Sequence, residues 1–427
     1  MPFHFERITL NGWRQFHKID IQFHPKLTII TGANGAGKSS LLSILTQHFG
    51  WHRYFLGTPL KTRTNGVAKF LTGLRRKRQE NIHEYSVGSI NYLPSGQAAL
   101  KTSTEALQYA INIHNQSAVH GTYISSHRSI PVFQQINTIQ VGAQSPDQAY
   151  GQFQSESVNR AQGQYHGPTQ IFRMKEALVS MATFGPKTEF SAGDQSALDT
   201  INGFSTALRK TLPPSLGFRN LSIRQTDVVL ETDSGNFMLD AASGGIMAIV
   251  DITWQIYIYS LSSAARESDG FVVVMDEPEN HLHPSMQRAL LSNLMDAFPV
   301  AQFIVATHSP FMVSSVQDSA VYVLQYQEVQ LDQTEIESDD GGTIRKLVIS
   351  EKLDVVNRAG SAGDILRDVL GVPVTVPLWV ESELEELVDE FRELEPTLEN
   401  FKLLKSRMSD LGFGELYPQA IARLVRE

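Results

Sequence analysis

The chain has 427 residues, a formal charge of −9 and no cysteine. Its length exceeds one usual domain, so a core with an inserted subdomain is expected; the missing thiols exclude disulfides and any thiolate metal site, and suit a cytoplasmic protein. No apolar segment reaches membrane-spanning length and no leader precedes Phe3, which argues against a spanning or secreted protein. Residues 379–427 carry twelve acidic and six basic side chains, so only −3 of the total belongs to the first 378 residues. That balance speaks against a large uniform nucleic-acid face.

In chain order, Leu27–Thr31 is a short β-branched run suited to a buried strand, and Ser39–Phe49 has apolar residues at helical spacing. Between them Gly32, Ala33, Asn34, Gly35, Ala36, Gly37, Lys38 and Ser39, followed by Ser40, have the form of a phosphate-binding loop. The glycines let backbone N–H groups meet phosphate oxygens at a helix N-terminus; Lys38 would reach the β/γ-phosphates and Ser39 would offer its hydroxyl to Mg²⁺. A glycine-rich turn is the bland alternative, and the flanking strand and helix disfavour it. Next, Lys61, Arg63, Lys69, Arg75, Arg76, Lys77 and Arg78 form a basic cluster, either a solvated face or a contact for nucleic acid or an acidic partner.

Residues 141–170 are rich in Gln, Ser, Gly and Asn, which predicts a long loop or mobile insertion, a candidate sensor. Two helical stretches are predicted over Ile171–Leu212, broken at Gly185-Pro186. Phe218–Leu239 alternates like paired strands turning at Asp233–Gly235. Ser243, Gly244 and Gly245 open a helical stretch to about Arg266, an anion-ready N-terminus or a plain cap. Phe271–Asp276 ends a buried strand at Asp276, placed for the Mg²⁺ shell, and Glu277, placed as general base. A polar turn is the alternative. After a helical stretch over Pro284–Phe298, Ala301–Ala306 reads as a second strand, leading to His308, which would sense the γ-phosphate or be structural. His281 and His283, two apart beside Pro284, read as a turn rather than a metal pair. The tail predicts an acidic loop at 332–340 and helical stretches at 343–357, 362–370, 379–394 and 399–411; Glu381, Glu383, Glu385, Glu386, Asp389 and Glu390 read as one solvated helix face.

Together these segments resemble the ATP-binding-cassette ATPases of the SMC, Rad50 and RecF type. Ser243-Gly244-Gly245 matches the signature motif and His308 the switch histidine. More narrowly, the chain resembles compact OLD-like prokaryotic ATPases, including the ATPase subunits of the PARIS and Septu anti-phage systems. The run Phe5 to Phe16, containing Arg14, is similar to their first strand and turn, Tyr123–Arg128 to a strand-end segment, and Asp276–Pro284 to their aspartate-box run. The resemblance implies an α/β fold: an ABC-type P-loop ATPase core, a mixed sheet flanked by helices, with a helical insertion and a helical C-terminal tail. It implies ATP and Mg²⁺ as cofactors, slow hydrolysis, and a head-to-tail dimer or larger homo-oligomer in which one subunit's signature meets the nucleotide of the other. It also implies a separately encoded nuclease effector and a phage protein as trigger; a RecF-like clamp on DNA in repair is the alternative.

Arg14 and Arg128 are both open as nucleotide contacts; Arg14 is the preferred candidate, with a surface or core salt bridge as its alternative. Lys38 and Ser243 are only 205 residues apart with no sustained heptad, which excludes a long-armed tether. The helix after Gly245 is apolar on most faces, unlike the basic one of transporter ATPases, and predicts burial. The expected division is 1–130 for an N-terminal ATPase lobe, 131–217 for an insertion, 218–330 for a C-terminal lobe, and 331–427 for an acidic helical tail.

Overall fold

Along His4–Trp13 (β1) and Phe16–Gln22 (β2) buried side chains tend to alternate with partly exposed ones, as in strands with one face on a core. Leu27–Gly32 (β3) is buried at every residue, as a parallel strand covered on both faces must be. The computed structural model describes residues 4–60, 69–71, 84–103, 106–128, 132–161, 163–164, 168–189, 191–330, 344–354, 362–370, 378–392 and 394–425. Apart from Lys69, the basic cluster at 61–78 lies outside the described residues, as does the acidic loop at 332–340.

The remaining strands are β4 (Phe55–Leu56), β5 (Thr58–Leu60), β6 (Lys69–Leu71), β7 (Glu84–Leu93), β8 (Gln97–Ser103), β9 (Gln108–Tyr109), β10 (Ile111–His114), β11 (Gly121–Ile124), β12 (Phe218–Arg224), β13 (Asp227–Thr232), β14 (Gly235–Met238), β15 (Phe271–Asp276), β16 (Ala301–Ala306), β17 (Ala320–Gln330) and β18 (Ile344–Lys352). Helices are α1 (Lys38–Leu45), α2 (Pro146–Ala161), α3 (Gln170–Phe184), α4 (Gln195–Thr211), α5 (Gly244–Ser260), α6 (Ser263–Arg266), α7 (Pro284–Ala297) and α8 (Pro310–Val313).

One mixed sheet runs β10-β8-β7-β1-β2-β18-β17-β3-β16-β15-β11. From β17 to β11 every pairing is parallel, whereas β10 to β2 is antiparallel throughout. β18 joins the halves, antiparallel to β17 and parallel to β2. The helix predicted at 343–357 is therefore a strand over Ile344–Lys352. Lys346, Leu347, Glu351 and Lys352 are good helix formers, but Leu347 and Val348 are buried between two strand edges that need a partner, and tertiary context overrides the local preference. Residues 344–352, expected in the tail, thus belong to the large sheet, and the chain forms two compact units, Met1–Ala362 and Gly363–Glu427.

The predicted loop at 141–170 is also corrected, because most of it is the helix α2. Its core-facing side includes Ala149, Phe153, Glu156 and Ser157, too polar to give a hydrophobic stripe. Tyr150 stacks edge-on to Tyr259 of α5 and donates to the Thr122 hydroxyl at 3.2 Å. The helices at 171–212 end and restart around Gly185-Pro186, and β12–β14 add a turn at Gln225 (φ 57°) to the one at Asp233–Ser234. α5 is buried from Ile246 to Ile256. In the second unit, helices Leu378–Arg392, Leu398–Asp410 and Tyr417–Val425 share an apolar core of Leu384, Val388, Leu404, Met408 and Ala420. Glu385, Glu386, Asp389 and Glu390 are exposed, and Arg407 Nη1 donates to both Glu390 carboxylate oxygens at 2.7 and 2.8 Å, so these acids are a solvated face.

The turn after α1 is pinned to the antiparallel half by His48, whose Nε2 lies 2.9 Å from Tyr92 Oη and whose ring meets Phe5 edge-on at 4.9 Å. Burial brings this imidazole down to about 4 from its ordinary 6.5. The fold therefore favours the neutral ring: its contribution is complete above pH 6.5 and is lost as pH falls toward 4, about 2 kcal/mol of it between pH 7 and pH 5. Urea titrations should show His48→Gln losing less stability than the parent over that interval; an equal loss would assign the acid sensitivity to other groups.

Candidate nucleotide site

β3, β15 and β16 are adjacent and parallel, so their C-terminal ends open on one crevice, where open α/β sheets place ligands. The loop after β3 runs from Gly32 to Gly37 into α1. Gly32 (φ 139°) and Gly37 (φ 98°) have left-handed backbones that favour glycine, and a Cβ would run into the Leu324 carbonyl at the first and the Phe16 ring at the second. Ala33, Asn34 and Gly35 are exposed at the mouth, Ala36 is buried, and Ser40 lies in the first turn. Gln15 braces the loop by donating to Gly35 O at 3.2 Å.

Lys38 is buried, and its Nζ donates to Gly32 O (2.9 Å) and Ala33 O (3.2 Å) while lying 3.4 Å from His308 Nδ1. Burial lowers this ammonium from 10.5 to about 8, against the pull of Asp276, Glu277 and Glu279. His308 is also lowered, first by burial and then by Lys38, so its neutral form is favoured. With Nδ1 accepting from Lys38, Nε2 carries the proton and faces Glu277 Oε1 at 3.5 Å. Glu277 has a left-handed backbone (φ 48°), fixed by its N–H to Ala306 O at 2.8 Å. Burial raises the Asp276 carboxyl, opposed by hydrogen bonding to Ser39 and by the Lys38 charge, and its Oδ1 is buried without a hydrogen-bond partner among the described residues. A buried acceptor of this kind is where an ion or ordered water belongs. Ser39 and Asp276 therefore fit a divalent cation completed by phosphate and water oxygens.

Two further residues brace the site: Glu279, which sequence reasoning missed, and Arg128, whose role it left open. Glu279 is buried and accepts from the Thr307 hydroxyl at 2.6 Å and from His308 N at 2.8 Å, clamping the histidine to the loop after β15. Arg128 donates to Pro278 O (3.2 Å) and Asn280 O (2.9 Å), and Asn280 Nδ2 reaches Ser126 O (3.3 Å) and Glu277 Oε2 (3.2 Å). Arg128 is thus engaged in holding the Glu277–Asn280 loop. For Glu279 the sequence signal was a third acid in the Asp276–Pro284 run, and for Arg128 its place at the end of the Tyr123–Arg128 segment; their partners lie on other loops, beyond the reach of any spacing rule. His283 caps α7, accepting from Ser285 N at 3.3 Å, which explains it as a turn residue.

The described contacts join Lys38, Ser39, Asp276, Glu277, Glu279 and His308. They do not draw in Ser243, Gly244, Gly245 or Arg14. Ser243 caps α5, accepting from Ile246 N at 3.5 Å; Ser243 and Gly244 are exposed, and Gly245 packs under His281 O. Arg14, at φ 52° in the β1–β2 turn, lies over the Phe55 ring at 5.3 Å.

A family model described as AAA domain matches residues 7–161, and a second, AAA domain, putative AbiEii toxin, Type IV TA system, matches residues 256–314. A Septu protein PtuA of Bacillus thuringiensis is 21% identical over 465 residues, covering 95% of this chain and 98% of that one. The chain is similar to the ATPase subunits of anti-phage systems. A retron Ec83 probable ATPase of Escherichia coli is 28% identical over 132 residues, 30% of this chain and 24% of that protein. Among solved structures, an SmcHead bound to the C-winged helix domain of ScpA superposes with a TM-score of 0.45 at 13% identity, covering 83% of this chain and 99% of that one.

Removing the Glu279 carboxylate frees both His308 N and the Thr307 hydroxyl. Hydrogen bonds to a charged acceptor contribute roughly 1.5–3 kcal/mol each, so Glu279→Ala is expected to slow ATP turnover about tenfold or more. MgATP binding, expected at the loop after β3, should change little. Phosphate-release kinetics beside calorimetric binding would check this, and unchanged turnover would remove Glu279 from the working site.

Proposed function

We propose that the chain binds MgATP between Lys38, Ser39 and Asp276, hydrolyses it slowly with Glu277 as general base, and uses the nucleotide state to hold or release a separately encoded nuclease in anti-phage defence. The observation that carries the ATPase half is convergence: the phosphate loop, the orphaned Asp276 oxygen, Glu277 and His308 meet at the ends of three adjacent strands. The defence half is supported by similarity to a Septu protein PtuA along nearly the whole chain. Bound Mg²⁺ would neutralise β- and γ-phosphate charge.

In this reading α1 offers its N-terminal N–H groups to the phosphates, and the Lys38 ammonium exchanges its loop carbonyls for phosphate oxygens. Glu277 orients a water and accepts its proton; neutral His308, Nε2–H toward Glu277, keeps that carboxylate aimed. Glu279 and Arg128 hold the two loops so that these groups need little rearrangement. The exposed Ser243 and Gly244 are available to the nucleotide of a second copy, giving a head-to-tail homodimer or a larger assembly built from it.

Glu277→Gln keeps the side-chain shape but removes the base, so it should accumulate the ATP-bound dimer. Light scattering after size exclusion should show about twice the mass with MgATP and the monomer mass without nucleotide. An unchanged mass would refute the sandwich. Mass spectrometry of what copurifies with the tagged variant from its native host tests the effector. A stoichiometric nuclease is expected, whereas DNA with repair factors and no nuclease would favour a RecF-like clamp.

A further inference from the structure

We propose that Lys175 is a positioning residue for the Ser243–Gly245 turn, holding it through Asp240 in the orientation in which it meets a second copy's nucleotide; this rests on the head-to-tail reading above. Lys175, in the middle of α3, is 1% exposed. Its Nζ pairs with Asp240 Oδ2, lies 3.4 Å from Asp227 Oδ1 in β13, and donates to Gln134 O at 3.1 Å. Phe133 covers the ammonium, its ring centroid 5.2 Å away. One buried cation therefore gathers three segments that are remote in sequence.

Asp240 is the middle residue of the single turn Leu239–Ala241, and Ala242 then leads directly to Ser243, the cap of α5. Leu239 is buried, so the turn is held by an apolar contact on one residue and an ion pair on the next. Asp240 Oδ1 is buried without a hydrogen-bond partner among the described residues, leaving the Lys175 contact through Oδ2 as the anchor of that carboxylate. A well-packed apolar pair would stabilise such a place as well without desolvating charge. What an ammonium–carboxylate pair adds is direction, because charge-assisted hydrogen bonds are short and oriented. The group so oriented lies three residues before the exposed Ser243. α3 and the exposed Phe133 thus connect the insertion to the surface that a second copy would contact.

The test uses the full chain in the Glu277→Gln background. Asp240→Asn keeps volume and an acceptor oxygen, while Lys175→Met removes the ammonium and Lys175→Arg retains a cation. Sedimentation measures the dimer dissociation constant with MgATP, and calorimetry measures MgATP binding by dilute, separate chains. We expect Asp240→Asn and Lys175→Met to raise the dimer constant at least tenfold and leave MgATP binding within about twofold, with Lys175→Arg recovering much of the dimer. Equal dimerisation of the variants and a dimerising parent would overturn the proposal alone. Loss of MgATP binding together with dimerisation in both variants would also overturn it, by showing general loss of structure. A parent that stays monomeric with MgATP would overturn the head-to-tail reading, and the proposal with it.

Discussion

Burial of β3, β15 and β16 on both faces is the constraint on which the site depends. Every residue of these strands is buried, so polar chemistry can enter only where a strand ends. Parallel pairing brings the three C-terminal ends to one edge, with Asp276 in register with Ala306 and Ala306 with Ile30. The loop after β3, the acids after β15 and the histidine after β16 are therefore neighbours because their strands are. Burial also sets the electrostatics: Lys38 is brought down, Asp276 and Glu279 are pushed up, and their opposite charges offset part of each other's desolvation.

The loops that follow are fixed by bonds that cross between elements. Glu279 ties the β15 loop to the β16 loop, and Arg128 ties the β15 loop to the end of β11. Glu279 is buried and Arg128 half-buried, and their contacts cross between elements, so together they favour one arrangement of the loops. The same economy recurs at Lys175, where a buried charge joins α3, β13 and the turn before α5.

The antiparallel half of the sheet serves the site less directly. Gln15, in the β1–β2 turn, donates to Gly35 O, and Gln15 O accepts from Val348 N of β18. The glycine loop after β3 thus leans on strands from both ends of the first unit. β18 is the strand whose helix-forming residues conceal it, and it is needed because β2 and β17 each have an edge to satisfy.

By itself the sequence determined the local chemistry: a glycine loop entering a helix, two apolar strands ending in acids and in a histidine, and a buried helix capped by Ser243. Such signals are short-range, since φ freedom, strand hydrophobicity and capping act within a few residues. Tertiary structure decided what depends on partners distant along the chain. It made Ile344–Lys352 a strand and residues 146–161 a helix whose buried side mixes apolar and polar residues, gave Glu279 and Arg128 their roles as clamps, and left Ser243 exposed outside the contacts of Lys38. The physical reason is the same in each case: burial and edge pairing override weak local preferences, and a side chain's partner across the sheet leaves no trace in its own neighbourhood of sequence.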